Sequence, residues 1–455
     1  MPKKAKKAIP LNFLAALFIM CCSQYLERAE KTFAQSFADS RTRLKIRHFR
    51  CSLRATQVVR WLPHSRENTL LRTIRVLLCL CPFFATVTSS VSPQTTSPAP
   101  TKNASSAVPS TAAPLRIGIA GLVHGHIGGF LSQNLKRTDI QIVGIAEKNQ
   151  ELSETIAAKY NLPAKIFFPT LEEMLNLTRP QAVLIYSNTF EHRAIVEACA
   201  RRGIPVMMEK PLAVSLDAAR AMQDAAQRAK IPILVNYETT WYRSNRAAYD
   251  LVHQNAIGEI RKVVIHDGHQ GPKEINVEPW FLAWLTDPKL NGGGALFDFG
   301  CYGADLMTWL MDGRRPDSVT AVTQHIKPDI YPRVDDEATI VLTYPKAQAI
   351  LQASWNWPYS RKDMEIYGQN GYAITVASDS VRARLASVSE EKLLESKPLE
   401  PREADSVSYL RAVVVDGAQP QGLSSLETNV IVTEILDAAR QSAASGKTIR
   451  LEKKE

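Results

Sequence analysis

An α/β chain in two parts is predicted: a domain of alternating strands and helices on a parallel sheet, then an α+β domain on a large, mostly antiparallel sheet. Three observations carry that prediction. From Leu115 onward the pattern runs strand, glycine turn, helix, strand, acidic residue, the order of a βαβ unit. Further apolar runs at 181–186, 204–208 and 231–236 are separated by helical stretches such as 191–202, as buried parallel strands are. Beyond residue 256 the pattern turns to alternation at 260–267, 319–326, 338–344 and 347–354, which predicts mixed or antiparallel pairing.

At 455 residues the chain exceeds what one hydrophobic core organises, so two domains with accessory segments are expected. The formal charge of +10 is unevenly spread. Residues 1–114 carry 17 Lys and Arg against 4 Asp and Glu, and the remainder 38 against 41. A mildly acidic body lacks the electrostatic footprint of a nucleic-acid binder, so no nucleic-acid partner is expected. Cys21, Cys22, Cys51, Cys79 and Cys81 lie upstream and only Cys199 and Cys301 in the body. Nothing in that distribution resembles a zinc knuckle or a disulfide framework. Cys199 and Cys301 read as small buried apolar residues, with a bridge between them left open.

Two N-terminal segments resemble targeting signals. Lys3, Lys4, Lys6 and Lys7 precede an apolar run at 11–22, and Arg72 and Arg75 precede another at 76–87. Each run is about 12 residues, the length of a signal-peptide apolar region and short of the roughly 20 that span a bilayer as a helix, so no stable membrane span is expected. Residues 89–114 are dense in Ser, Thr, Pro and Ala, a composition that makes a flexible tether. The functional product is expected to begin near Leu71 and to be exported to the periplasm; an uncleaved cytoplasmic chain is the alternative.

In the first domain the strand at 115–120 leads into a turn containing Gly121, Gly125, Gly128 and Gly129. Glycines let a backbone approach a pyrophosphate, and the following helix N-terminus supplies amide donors, so a Rossmann dinucleotide-binding domain is expected. Val123 and His126 stand where the second and third glycines of the GxGxxG fingerprint would be. Glu147, ending the second strand, is placed to accept from a ribose 2′-hydroxyl and to repel a 2′-phosphate. That favours NAD; the neighbouring Lys148 leaves NADP open. His124 and His126 are expected beside the cofactor or substrate, with no metal site. The strand at 204–208 delivers Glu209, Lys210 and Pro211 at its carboxyl end, where ligands bind in open α/β sheets.

Glu209-Lys210-Pro211 in that position resembles the signature of the glucose-fructose oxidoreductase/inositol dehydrogenase (Gfo/Idh/MocA) family. A second block agrees: Asn291, Gly292, Gly293 and Gly294 run on to Asp298, Gly300 and Tyr302, similar to the family's glycine-rich loop and its Asp-x-Gly-x-Tyr helix start. Ser187 and Asn188 stand where the family commonly has Thr-Pro before its histidine, here His192. The resemblance covers residues 115 to about 451. Composition assigns targeting sequence, disordered or removed, to 1–88 and a linker to 89–114; the resemblance implies a Rossmann NAD(P)-binding domain over 115–236 and a substrate-binding and oligomerisation domain over 237–451. It implies an NAD(P)-dependent oxidoreductase acting on a hydroxyl of a sugar, polyol or sugar derivative, assembled as a dimer or tetramer. Cofactor contacts are expected from Gly121, Val123, His124, Gly125, His126, Glu147, Ser187, Asn188, His192, Glu209 and Lys210.

Oxidising an alcohol requires a base for the hydroxyl proton while hydride leaves the same carbon. Asp298 and Tyr302, four apart on a helix, share a face, and the resemblance implies that Lys210 joins them at the reacting hydroxyl. Tyr302 is expected to take the proton with Lys210 lowering its pKa, and Asp298 to fix Lys210 or a second hydroxyl; Asp298 or Lys210 as proton carrier stays open. Tyr237, Trp241 and Arg243, after the last Rossmann strand, are candidate substrate contacts, and Trp280, Trp284 and Trp355 are aromatics able to stack on a sugar ring. Two other functions fit the same scaffold: an NAD-dependent glycoside hydrolase working through transient oxidation, and a nucleotide-binding sensor without turnover.

Overall fold

The computed structural model describes residues 113–451; the targeting segments and nearly all of the tether expected from the sequence lie outside them. Six parallel strands form the first sheet: β1 (Leu115–Ala120), β2 (Ile140–Ala146), β3 (Phe167–Phe168), β4 (Ala182–Ile185), β5 (Val206–Glu209) and β6 (Ile233–Asn236). Their order is β3-β2-β1-β4-β5-β6, so the direction of winding reverses between β1 and β4, whose carboxyl ends flank a crevice. Ile119 lies opposite Ile145 of β2 and Leu184 of β4, and β4 is buried on both faces, which explains its unbroken apolar run. The connecting helices are α1 (His126–Asn134), α2 (Gln150–Tyr160), α3 (Leu171–Thr178), α4 (His192–Ala200) and α5 (Leu216–Ala229). Asn149, Thr170 and Ser215 accept backbone N–H bonds at the starts of α2, α3 and α5, satisfying donors that a helix N-terminus leaves free.

After a crossing segment come α6 (Arg243–His253), β7 (Ile260–Gly268), α7 (Pro279–Leu285), α8 (Pro288–Asn291), α9 (Ala295–Asp298) and α10 (Gly300–Leu310). The second sheet is completed by β8 (Ser318–Gln324), β9 (Glu337–Thr343), β10 (Gln348–Ser354), β11 (Arg361–Gly368), β12 (Tyr372–Ala377), β13 (Ser380–Arg384), β14 (Lys392–Glu395) and β15 (Ile449–Arg450). Its order is β14-β13-β12-β11-β7-β10-β9-β8-β15, antiparallel except where β7 meets β10. Val263 and Ile265 align with Ala349 and Leu351 on one side and with Ile366 and Met364 on the other. This apolar face is buried in the core that also holds Cys301, Leu306, Val432 and Leu436, from α10 and from α12 (Leu426–Ser445).

The sequence predicts β7 to β10 within a few residues but not β11 to β14. In β11 only Met364 and Ile366 point inward between Arg361, Lys362, Asp363 and Glu365, so the alternation is masked by charge. Helix α11 (Ser406–Val414), from the later part of the chain, packs Val407, Tyr409 and Leu410 into the core with Leu115, Ile117 and Met207. Cys199 and Cys301 are buried free thiols rather than a bridge. Among the described residues no helix is long and apolar enough to cross a membrane.

Candidate active site

At the end of β1 the chain turns through Gly121 at φ +82°, a region that disfavours side chains. A Cβ there would lie 2.8 Å from the Ser187 backbone. The Glu147 carboxylate accepts from the Leu122 N–H (2.8 Å) and the Asn149 N–H (2.9 Å), tying the loop to the end of β2. A carboxylate has about four lone-pair sites, so these bonds leave capacity for a ribose hydroxyl. Lys148 pairs with Glu191 (2.6 Å), and both line the same crevice as Glu147. Gly121, Val123, Glu147, Ser187 and Asn188 line a crevice of about 360 Å³ at the carboxyl ends of β1, β2 and β4. A turn with no side chain, a crevice and a carboxylate at its far end fit one half of a dinucleotide.

Further along the loop, His124 is buried, with its N–H on the Tyr186 carbonyl (2.9 Å) and its ring 4.9 Å from Phe281 and 5.5 Å from Trp284. Burial pushes its pKa well below the ordinary value, leaving the ring neutral. Trp284 donates to the Val123 carbonyl (3.0 Å), and a Cβ on Gly125 would lie 2.6 Å from the Phe281 ring, so α7 closes over the loop. His126 is exposed and its Nδ1 lies 2.8 Å from Glu209 Oε2. Glu209 Oε1 accepts from Asn236 (2.8 Å), whose Oδ1 accepts from the Trp241 indole (2.9 Å). Burial opposes charge on Glu209, but His126 and Asn236 outweigh it and hold the carboxyl below its ordinary value. Potential metal-ligand atoms of His124, His126 and Glu209 lie within 4.8 Å of one another; the His126–Glu209 hydrogen bond already joins two of them.

Ser187 donates to the Asn188 carbonyl (3.0 Å), and Asn188 Oδ1 accepts from the Glu191 N–H (3.1 Å), shaping the crevice wall ahead of α4. His192 is buried, with Nδ1 donating to the Leu212 carbonyl (3.1 Å) and Nε2 without a partner among the described residues. Burial lowers its pKa to about 4.

The centre of the site is Lys210, at the end of β5. Its ammonium reaches across to the second domain, donating to Asp298 Oδ1 (2.5 Å) and to the Asp298 carbonyl (2.9 Å), with both side chains over 90% buried. Asp298 Oδ2 accepts from the Trp355 indole (3.0 Å). Burial disfavours both charges, yet each partner offsets it for the other: Lys210 is held above its ordinary pKa and Asp298 below. The loop before Asp298 is fixed by Asp335, which accepts from Gly294 and Leu296 N–H groups (2.9 and 2.7 Å).

Tyr302 lies beside this pair, its ring centroid 4.9 Å from the Lys210 ammonium and 4.8 Å from that of Lys362. The expectation that Lys210 lowers its pKa is corrected: the ammonium sits against the ring and bonds to Asp298, and burial pushes the phenol well above its ordinary value. Residues the sequence reading missed complete the surroundings. Lys362 pairs with Glu238 and aligns across the sheet with Asp267, a buried carboxyl with neither oxygen partnered among the described residues and a pKa driven well upward by burial. His269, after β7, stacks edge-on against Phe299 (4.8 Å). Lys362 was hidden in a charged stretch and His269 stood alone in the sequence; only cross-strand register places them.

Of the predicted substrate contacts, Tyr237 is fully buried, with its hydroxyl on Asn429 (2.9 Å) and its ring 5.4 Å from Tyr302. Trp241 points to Asn236, and Arg243 to Asp379 (3.4 Å) and the Ser396 carbonyl (3.5 Å). Trp280 packs against both cores. Tyr237 thus backs Tyr302 from the core, while Trp241 and Arg243 are engaged with other partners.

Comparison with known proteins identifies both domains. Residues 115–237 match the model described as oxidoreductase family, NAD-binding Rossmann fold, and residues 245–374 match the GFO/IDH/MocA C-terminal domain. The chain is 26% identical over 320 residues to trans-1,2-dihydrobenzene-1,2-diol dehydrogenase of Xenopus tropicalis, covering 68% of this chain and 91% of that one. Its fold is similar to that of aldose-aldose oxidoreductase from Caulobacter crescentus, solved with glycerol (TM-score 0.63, 21% identity, 74% and 100% covered). It is similar also to an inositol dehydrogenase homolog from Azotobacter vinelandii, solved with NAD+ (TM-score 0.65, 18% identity, 75% and 98% covered). The chain belongs to the GFO/IDH/MocA family of NAD-binding oxidoreductases.

Proposed function

We propose that this oxidoreductase removes hydride from a hydroxyl-bearing carbon of a sugar, polyol or related diol, with the hydroxyl seated at Lys210, Asp298 and Tyr302. The buried Lys210–Asp298 pair is the observation that carries this reading: an ion pair taken out of water is expensive to keep, and this one sits at a strand carboxyl end beside the nucleotide loop. The names of the relatives, a dihydrodiol dehydrogenase and an aldose oxidoreductase, support the substrate class.

NAD supplies the hydride acceptor. Lys210 donates to the substrate oxygen and orients it, and as the hydroxyl proton arrives Lys210 passes one of its own to Asp298. Tyr302, kept neutral by burial, supplies a phenol hydrogen bond to the same oxygen. NAD is preferred over NADP, because Glu147 lines the crevice with capacity for a ribose hydroxyl, and the charge of Lys148, which lines it too, is paired with Glu191. The test is turnover of a panel of cyclic polyols, aldoses and cyclic diols with NAD and with NADP. Reduced cofactor formed from NAD supports the reading; aglycone release from glycosides without net reduction would favour the hydrolase instead.

A homo-oligomer is supported by the outer face of the second sheet, where Val264, Val341 and Ile350 are only half-buried and Val322 is 63% exposed; sedimentation of the purified chain checks it. Export rests on Arg72, Arg75 and the apolar run at 76–87, and N-terminal sequencing of the mature protein checks it, an intact Met1 being the contrary result.

A further inference from the structure

A second cavity, of about 460 Å³, lies where the chain crosses between its two domains. Thr240 and Trp241 line it from the outward crossing after β6, and Ser424 and Ser425 from the return before α12. The two crossings run side by side, since Leu234 of β6 bridges to Ser425. Its volume lies within the roughly 300–1,000 Å³ of small-molecule sites, and none of the residues around Lys210 lines it.

The lining is aromatic and polar together. Trp309 is stacked on Tyr249 (4.0 Å, 7° between planes), and Tyr249 is backed in turn by His253 (3.7 Å). Arg246 and Glu403 form an ion pair at 2.8 Å. Each feature restricts the ligand. A purely apolar molecule would strip water from the Arg246–Glu403 pair without replacing its hydrogen bonds, and a charged one would have to displace a member of that pair. A ring with an apolar face and an equatorial belt of hydroxyls can lie on the aromatic wall and bond to the guanidinium and carboxylate.

We propose that this cavity is a second binding site, for a neutral polyhydroxylated ring such as a sugar or cyclitol, separate from the reaction crevice. Trp241 connects it to the cofactor loop through an unbroken chain: indole to Asn236 (2.9 Å), Asn236 to Glu209 (2.8 Å), Glu209 to His126 (2.8 Å). A ligand that shifts Trp241 therefore has a route to the loop that holds NAD.

Fluorine NMR on the full chain with NAD bound and its tryptophans fluorinated resolves the two sites. Trp241 and Trp309 report on the cavity and Trp355 on the Lys210 crevice, with assignments from single Trp→Phe variants and D-glucose and myo-inositol as probes. The expected result is saturable movement of the Trp241 and Trp309 signals that persists in Lys210→Met. Arg246→Met should raise the midpoint about fivefold while moving Tm little, because the Arg246 side chain is 46% exposed and solvent screens its ion pair; Glu403→Gln provides the same reading independently. Signals that stay still with both probes, that lose their movement in Lys210→Met, or whose midpoint is unchanged in both cavity variants overturn the proposal. None of these readouts depends on turnover, so failure of the proposed oxidation leaves this test intact.

Discussion

Two residues from different domains, Lys210 and Asp298, favour each other's charge against the burial that opposes it. Lys210→Met removes both the orienting donor and the proton route, and kcat is expected to fall by about 10²–10⁴. Asp298→Asn should fall comparably. Tyr302→Phe takes away one neutral hydrogen bond and should lower kcat only about tenfold, so steady-state kinetics of the three variants separates this assignment from one in which Tyr302 is the base. Gly121→Ala forces a Cβ to within 2.8 Å of the Ser187 backbone at a positive φ. It is expected to destabilise by about 1–3 kcal/mol and to weaken NAD binding, read by denaturant melts and cofactor titration. Lys210, Asp298 and Tyr302 were legible in the sequence because each sits in a motif that resembles the family's, with Asp298 and Tyr302 four apart on one helix face. Lys362 and Asp267 were not, because what brings them together is strand register across ninety-five residues of chain.

At the scale of elements, α4 carries its own pH dependence into the nucleotide domain. His192 has a folded pKa of about 4 against an ordinary 6.5. Between those values the unfolded chain takes up a proton that the native ring refuses, so this contribution is fully present above pH 6.5 and is lost as pH falls towards 4. The loss amounts to about 3 kcal/mol at its limit. His192→Gln should flatten that part of the stability–pH curve; equal slopes for wild type and variant in urea melts would show that the ring is not refusing the proton. The elements themselves were unequally visible. Strands β1 and β2 match their apolar runs to the residue, because Arg116 and Gln141, each at the exposed second position, are the one polar residue in either strand. The two-residue β3 and the charged β11 carry no comparable pattern.

For the whole molecule, the binding of NAD to the crevice of the first domain should stabilise the fold by linkage, about 2.7 kcal/mol at one hundred times Kd. The rise in Tm should be larger with NAD than with NADP, and Glu147→Ala should narrow the difference. That α/β architecture was readable from the order of patterns alone, whereas the docking of α11 on the nucleotide domain was not, since Val407, Tyr409 and Leu410 find their partners about 300 residues back in the chain.

The most direct test of the account is reduced-nicotinamide absorbance on mixing the purified chain with NAD and a saturating cyclic polyol, aldose or diol, in wild type and in Lys210→Met. The account predicts stoichiometric reduced cofactor from wild type with at least one of these substrates, and a rate lower by about two orders of magnitude or more in the variant. Equal rates in the two proteins, or no net reduction by wild type across the panel, would contradict it.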